Sequence, residues 1–270
     1  MNEPRVVFRP PEGDGVAELA LNRPTKRNAL DDSTVADLDR GLRQAADMAE
    51  VRVILLRGEG KDFCAGADLS QLERIAAQAG PLENLGDAAS LGALFTAMRR
   101  LPKPIVAVVQ GHALAGGAGL ATACDLVVAA EDAVFGYPEV HLGFVPAMVM
   151  ALLRRTSSEK IAFELAARGD RITAAEARAY GLVNRLLPPA TLLPDAREYA
   201  RELARRPPGA LALIKRLLYG MDGMSFDEAI ARGAEVNAIA RLTPECREGV
   251  RRFLDSRRAA RPDAPAAPES

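Results

Sequence analysis

The chain has 270 residues, of which 49% are hydrophobic and 26% are charged, and its formal net charge is -1. This length allows a substantial buried core, in one large domain or in a domain with an appendage. The balanced charge offers no overall attraction for nucleic acid or for an anionic membrane, so we expect neither as a partner.

The first half of the chain alternates between strand and helix patterns. Strands are predicted for residues 16–21, 51–56, 103–111 and 125–130. A helix with its N-cap in residues 31–33 precedes the second strand, and an interrupted helical stretch over residues 69–101 precedes the third. That stretch is broken at Gly80-Pro81, and its second helix is predicted from about residue 88 to residue 100. The alternation of strand and helix predicts an α/β core.

The second half is predicted to be mostly helical. The helical segments are residues 147–155, 158–167, 174–180, 194–205, 209–219, 225–242 and 244–258. The last twelve residues are rich in proline and alanine, which predicts a flexible tail over residues 259–270.

The cysteine content and the lengths of the apolar runs indicate the cellular compartment of the protein. Cys64, Cys124 and Cys246 are widely separated and lack metal-ligand spacing, so neither a disulfide framework nor a zinc site is expected. No apolar run reaches the roughly 18 to 20 residues of a membrane helix, and the N-terminus lacks the pattern of a signal peptide. We therefore expect a cytoplasmic protein without a bound metal.

The most informative segment is the glycine-rich run of residues 111–125, which follows an apolar strand and leads into an alanine-rich helix. Gly116 and Gly117 allow a sharp turn and the close approach of a ligand to the backbone, at the positive end of the helix dipole. Such a turn either forms an oxyanion hole or is a tight packing joint between helix and strand.

Two further segments favour the oxyanion hole. Residues 61–69 form a second turn of small residues after a predicted strand, and residues 135–146 carry a lone acid, Glu139, between apolar neighbours. Partial desolvation of that carboxyl would raise its pKa toward a value useful for proton transfer at neutral pH.

These three segments, in this order, resemble the crotonase (enoyl-CoA hydratase/isomerase) superfamily, and the resemblance extends over residues 16–258. It implies an α/β fold built as a spiral of ββα units with a helical C-terminal trimerisation region. The domain organisation that follows is a spiral core with the site in residues 1–195, a helical oligomerisation region in residues 196–258 and the flexible tail.

The resemblance also assigns the site residues. It places the oxyanion hole on the backbone N–H groups of Ala67 and Gly116 and makes Glu139 the acid/base. The implied substrate-binding residues are Ala65, Gly66, Asp68, Lys26, Arg27, Gly117, Gly119, Pro138 and Ala147. For Lys26 and Arg27 the alternative to a coenzyme A phosphate contact is an ordinary solvated turn, and for Asp68 we favour capping of its loop over catalysis.

One position departs from the family pattern. A typical hydratase holds water between two glutamates, but Gly119 occupies the place of the first. Isomerisation needs only one base, which moves a proton from C2 to C4, whereas hydration needs a second group or a held water. That group would come from the substrate, from residues 69–101, or from Tyr137 or His141, although packing roles are favoured for both side chains.

The function expected from the resemblance is that of an acyl-CoA enzyme that stabilises a thioester enolate, with enoyl-CoA hydratase as the leading assignment. The first alternative is an enoyl-CoA isomerase with Glu139 as its sole acid/base. The second is a non-catalytic scaffold that binds CoA esters or RNA. No separate cofactor is expected, because coenzyme A is part of the substrate. The expected assembly is a homotrimer or a dimer of trimers, and Met148 and Met150 are expected to reshape the acyl pocket.

Overall fold

The computed structural model describes residues 3–68, 70, 73 and 80–259. The chain forms two compact units, Met1–Arg206 and Pro207–Ser270. The predicted tail beyond residue 259 and most of the predicted helical segment from residue 69 to residue 79 lie outside the described residues. Among the residues described, no helix combines the length and the apolar character that are needed to cross a bilayer.

The first unit is built on a six-stranded sheet. Its strands, in spatial order, are β1 (Val6–Arg9), β2 (Val16–Leu21), β3 (Val53–Gly58), β4 (Ile105–Val109), β6 (Leu126–Ala130) and β9 (Arg185–Leu187). Only the pair of β1 and β2 is antiparallel. The residues of β2 and β4 are buried along their whole length, as expected for parallel strands that are covered on both faces.

A second sheet of three short strands carries part of the site. It consists of β5 (His112–Leu114), β7 (Val134–Gly136) and β8 (Arg171–Thr173), in that order. β5 and β7 are parallel, whereas β7 and β8 are antiparallel.

Within residues 3–68 and 80–206, the first unit contains seven α-helices. They are α1 (Asp32–Asp47), α2 (Pro81–Arg100), α3 (Gly116–Ala123), α4 (Ala147–Thr156), α5 (Glu159–Arg168), α6 (Ala174–Ala179) and α7 (Leu192–Ala204). Asp31 caps α1 by accepting a hydrogen bond from the Thr34 N–H at 2.8 Å. The predicted break at Gly80-Pro81 is the start of α2, earlier than residue 88, because proline at the first helical position lacks only an N–H that has no intrahelical acceptor.

The second unit consists of α8 (Pro208–Gly220), α9 (Phe226–Leu242) and α10 (Pro244–Ala259). The division between the units lies after Arg206, later in the chain than the predicted boundary at residue 195. The reason is that α7 contacts strands β2, β3, β4 and β6 and so forms part of the first unit.

The longer elements agree with the sequence patterns, but five short strands were not predicted. These strands, β1, β5, β7, β8 and β9, have only three or four residues each. Such lengths are too short to show an alternating pattern, and their strand conformation depends on pairing with segments that are distant in the sequence.

Candidate active site

Backbone pairing brings the two small-residue turns side by side. Cys64 forms a parallel bridge with Ala113 of β5. The Cys64 N–H donates to the His112 carbonyl and the Leu114 N–H donates to the Cys64 carbonyl, both at 3.0 Å. The chain on each side continues from this bridge into its turn, so the pairing fixes the position of one turn relative to the other.

The N–H of Ala67 is left free by a second bridge. Leu30 N–H donates to the Gly66 carbonyl, and Asp68 N–H donates to the Leu30 carbonyl, both at 2.8 Å. In this parallel pairing the backbone N–H and C=O of Leu30 bind the residues on either side of Ala67. The N–H of Ala67 therefore points away from Leu30.

The N–H of Gly116 is free for a different reason. Gly116 is the first residue of α3, and the first N–H groups of a helix have no intrahelical acceptor. The preceding residue, Ala115, has φ 50° and ψ -126°, a conformation that residues with a side chain rarely adopt. A hydrogen bond of 2.8 Å from the Ala115 N–H to the Gly136 carbonyl of β7 holds it there.

The two free N–H groups lie next to each other. A Cβ atom placed on Gly116 would lie 4.0 Å from the Ala67 nitrogen, and one placed on Gly66 would lie 3.4 Å from the Gly116 nitrogen. Within the part of the chain that the structure describes, no acceptor is recorded for either N–H. Two such donors close together, one of them at a helix N-terminus, are suited to stabilise negative charge on a substrate oxygen.

Glu139 supplies a buried carboxyl. It lies in a short 3-10 helix, Pro138–Leu142, and is only 8% exposed. Its Oε2 atom has no hydrogen-bond partner among the described residues. Burial raises the pKa of this carboxyl above its ordinary value, against a smaller opposing effect from its own backbone N–H. A desolvated carboxyl with a raised pKa is suited to take up and return a proton.

The other polar side chains near Glu139 are occupied. Tyr137 is completely buried, and its hydroxyl lies 3.3 Å from the Thr122 hydroxyl on α3. The Nε2 atom of His141 lies 3.2 Å from the Gly169 carbonyl. These contacts fit the packing roles favoured from the sequence, and neither side chain offers the second acid that hydration would use.

The surroundings of Gly119 are apolar. A Cβ atom on this residue would lie 2.5 Å from Cγ2 of Val149 and 3.2 Å from Cζ of Phe95. Helices α4 and α2 therefore fill the space into which a side chain at position 119 would project. Gly119 lies at a tightly packed contact of α3 with α4 and α2, and no carboxylate fits there without displacing Val149.

Apolar side chains also border Gly116. Leu91 Cδ2 and Leu30 Cδ1 lie 3.6 and 3.8 Å from the position of a Cβ atom on Gly116. Met148 packs against Gly92 of α2, with its Cγ 3.4 Å from the corresponding Cβ position there. Leu91 and Leu30 thus lie beside Gly116, and Met148 packs on the same helix, α2, as Leu91.

Four further predicted binding residues lie either in the paired turns or at the start of a helical segment. Ala65 is half-buried and donates its N–H to the Arg27 carbonyl at 3.0 Å, and Gly117 is buried where a Cβ atom would overlap the Cys64 carbonyl. Pro138 and Ala147 each begin a helical segment next to the site, and Pro138 is half-buried whereas Ala147 is exposed.

The charged members of the predicted set are partly engaged within the protein. Asp68 Oδ1 accepts hydrogen bonds from the Ser70 N–H and hydroxyl, which is the expected loop cap, and its Oδ2 accepts from Arg23 at 2.8 Å. The guanidinium of Arg27 binds Asp62, with Nε 2.8 Å from Oδ2. Lys26 is exposed.

The contribution of Asp62 was not predicted. Its carboxylate binds Arg27 and His112, which lie 35 and 50 residues away in the sequence, so no local motif reveals the contact. No group of three or more potential metal ligands occurs among the residues that are described.

Comparison with known proteins supports the same family. The sequence model of the family described as enoyl-CoA hydratase/isomerase matches residues 12–261. The chain is 43% identical over 242 residues to a Thermus thermophilus protein named provisionally as an enoyl-CoA hydratase, with 90% of this chain and 95% of the relative covered. It is 33% identical over 246 residues to the 1,2-epoxyphenylacetyl-CoA isomerase of Escherichia coli, with 90% and 93% covered.

The fold agrees with this relationship. The crystal structure of an enoyl-CoA hydratase from Mycobacterium smegmatis superposes with a TM-score of 0.89 at 32% identity, and the match covers 94% of this chain and 97% of the other. The expected crotonase-like α/β fold with a helical C-terminal region is therefore confirmed. This chain belongs to the enoyl-CoA hydratase/isomerase family, within the crotonase superfamily.

Proposed function

We propose that this protein is an acyl-CoA enzyme that stabilises a thioester enolate and acts as an enoyl-CoA hydratase. The observation that carries the proposal is the closeness of the free N–H groups of Ala67 and Gly116, together with the buried carboxyl of Glu139 in the segment that follows β7. The names of the hydratase relatives support hydration as the reaction.

The chemistry follows from this arrangement. The thioester carbonyl oxygen accepts hydrogen bonds from Ala67 and Gly116, and each donor lowers the barrier to enolate formation by about 3 to 4 kcal/mol. The Glu139 carboxylate takes a proton from water as the water oxygen bonds to C3, and the enolate forms. The same carboxyl then returns a proton to C2. No separate cofactor is required, because coenzyme A enters with the substrate.

The direct test is turnover of a 2-enoyl-CoA by the wild type and by Glu139→Gln. We expect the variant to lose about 10²- to 10⁴-fold in kcat, because the amide cannot transfer the proton. Glu164→Gln, a change at an exposed glutamate on α5, is the matched control and should keep wild-type activity. Full activity in Glu139→Gln would rule out the proposed role of this carboxyl.

A second candidate reaction is isomerisation of a 3-enoyl-CoA to a 2-enoyl-CoA. The observation that favours it is the apolar packing of Val149 and Phe95 around Gly119, which leaves no room for a carboxylate at position 119. Glu139 would then take a proton from C2 of the bound substrate and return it at C4. Comparing rates on 2-enoyl-CoA and 3-enoyl-CoA decides between the two reactions.

A non-catalytic scaffold is disfavoured, because a protein without chemistry has no need for a buried carboxyl whose Oε2 atom finds no partner among the described residues, an arrangement that costs stability. Calorimetry with an acyl-CoA and with RNA tests this alternative. Binding of RNA without binding of a CoA ester would favour the scaffold.

We further propose a homotrimer or a dimer of trimers in the cytoplasm. Large apolar side chains of the second unit are exposed, which supports burial against other subunits: Ile214, Leu218, Phe226, Ile230, Ile239, Leu242 and Phe253. Cys64, Cys124 and Cys246 form no disulfide bond with one another, which supports a reducing compartment. Light scattering should give three or six times the 28.8 kDa of one chain, and fractionation of the source cells tests the compartment.

A further inference from the structure

One carboxylate connects three chain segments: the turn that holds Arg27, the turn after β3 and the start of β5. Asp62 lies in the turn after β3, and its side chain is 5% exposed. Oδ2 accepts a hydrogen bond from Arg27 Nε at 2.8 Å, and Oδ1 accepts one from the His112 backbone N–H at 3.1 Å. His112 Nδ1 lies 2.7 Å from the same Oδ1 atom. We call Arg27, Asp62 and His112 the Asp62 cluster.

The cluster keeps Asp62 ionised. Burial by itself raises the pKa of Asp62, but the hydrogen bonds and charges of Arg27 and His112 outweigh it and hold the pKa at about 2. Hydrogen bonds to an ionised acceptor are shorter and stronger than those between neutral groups. The carboxylate therefore fixes both partners firmly.

Each partner of Asp62 belongs to a segment whose backbone hydrogen bonds fix the position of one of the two free N–H groups. The Arg27 carbonyl accepts from Ala65, and three residues later Leu30 brackets Ala67 with its two hydrogen bonds. His112 begins β5, and its carbonyl accepts from Cys64 in the bridge that precedes Gly116.

The backbone around the cluster is strained, so it needs such support. Arg27 and Asn28 are consecutive left-handed residues, with φ of 51° and 56°. The Asn28 side chain donates to the carbonyls of Glu59 and Asp62, at 2.9 and 2.7 Å. Consecutive non-glycine residues with positive φ persist only where surrounding contacts hold them.

We infer that Asp62 is a positioning residue that holds the Ala67 and Gly116 donors at their mutual separation, through Arg27 on one side and His112 on the other. The inference rests on the proposed function, in which those donors bind a thioester carbonyl. Among the described residues, the Asp62 carboxylate accepts hydrogen bonds from Arg27 and His112 and not from the N–H groups of Ala67 or Gly116. Its removal should change how strongly the carbonyl is polarised rather than whether the acyl-CoA binds.

The test measures polarisation directly. A saturated acyl-CoA with a ¹³C-labelled thioester carbonyl is bound to the full-length protein, and its carbonyl stretching frequency is recorded by infrared difference spectroscopy. In the wild type the frequency should be lower than in free solution. In Asp62→Ala and Arg27→Asn the frequency should move back toward the free value, and kcat on 2-enoyl-CoA should fall about 100-fold. In Asp62→Ala the dissociation constant should change less than about threefold.

The choice of variants separates positioning from folding. Asparagine tolerates the left-handed backbone at position 27, so Arg27→Asn removes the guanidinium without adding strain and decides the question if Asp62→Ala does not fold. Asp39→Asn breaks an exposed pair with Arg43 on α1 and is the matched control, expected to behave as wild type.

The outcomes distinguish this inference from the proposed function. A folded Asp62→Ala or Arg27→Asn protein with the wild-type carbonyl frequency overturns the positioning role, even if kcat falls. Failure of the wild type itself to bind the acyl-CoA or to lower the frequency contradicts the proposed function instead.

Discussion

Cγ2 of Val149 lies 2.5 Å from the point that a Cβ atom on Gly119 would occupy. Side-chain space at this position is therefore taken by α4, and Phe95 of α2 closes the other side at 3.2 Å. No carboxylate fits at position 119, and the acid of the proposed function is the buried Glu139. We expect the reaction and its pH dependence to reflect these two features.

An acidic side chain at position 119 should fit only if the side chain of Val149 is made smaller. Gly119→Glu alone should lower the free energy of unfolding by about 1 to 3 kcal/mol, because the new side chain overlaps Val149. Combined with Val149→Ala, it should recover part of that loss and raise the ratio of hydration to isomerisation, measured on 2-enoyl-CoA and 3-enoyl-CoA. Val149→Ala is the control. An equal ratio in the control and the double variant would show that a second acid does not set the reaction.

Replacing Glu139 should raise stability at neutral pH. Below the ordinary carboxyl pKa of 4.5 the group is protonated in the folded and unfolded chains alike, so its burial adds no pH-dependent penalty. As the pH rises above that value, the unfolded chain loses the proton first. The wild type then loses stability relative to Glu139→Gln, by about 1.4 kcal/mol per pH unit until the raised folded pKa is passed.

Urea unfolding of both proteins between pH 4 and pH 8 measures this difference. A difference that stays constant across this range would show that the carboxyl has the same pKa in both states. Such a result would contradict the conclusion that burial raises the pKa of the Glu139 carboxyl in the folded protein.

The pH profile of kcat/KM should show an acidic limb at a higher pH than an ordinary glutamate gives. The reaction starts with the Glu139 carboxylate, and burial raises the pH at which that form appears in the free enzyme. Steady-state rates on 2-enoyl-CoA measure the limb. A midpoint at or below 4.5 would contradict the assignment of this carboxyl as the base.

Gly66→Ala should remove activity and destabilise the protein. Gly66 has φ of +96°, and a Cβ atom there would lie 2.8 Å from Ala115 Cβ and 2.9 Å from the Leu114 carbonyl oxygen. Gly13→Ala is the matched control, since Gly13 has φ of +82° with nothing within 4 Å of the Cβ position. The control should lose about 1 kcal/mol from the positive φ alone and keep its activity.

Thermal or urea unfolding and turnover of 2-enoyl-CoA measure both effects. Equal losses of stability in the two variants would indicate that the contact between the two turns is not as tight as the structure describes. Activity in Gly66→Ala would argue against a fixed separation of the two N–H groups.

Much of the fold could be predicted because the longer elements carry their own signal. The β-branched and leucine-rich residues of β3 and β4 indicate buried strands, and Asp31 marks the start of α1. The three-residue strands β5 and β7 carry no comparable pattern. They form because the turn at Cys64 and the segment before α3 pair with each other and with their neighbours.

The candidate site divides in the same way. Ala67, Gly116 and Glu139 could be selected from motifs in the sequence, and their catalytic roles stay predictions for the experiments above. The occupied space at Gly119 depends on Val149 and Phe95, which approach from two different helices. The Asp62 cluster depends on residues 35 and 50 positions away from Asp62.

The sequence by itself determined the α/β class, the family and the three segments that supply donors and acid, because those features reside in contiguous residues with their own turn and helix chemistry. Tertiary structure alone decided that the Ala67 and Gly116 nitrogens lie close together, that Glu139 is buried and that Val149 and Phe95 occupy the side-chain space at position 119. These properties depend on distances and solvent exclusion between segments far apart in the chain, which no local pattern encodes.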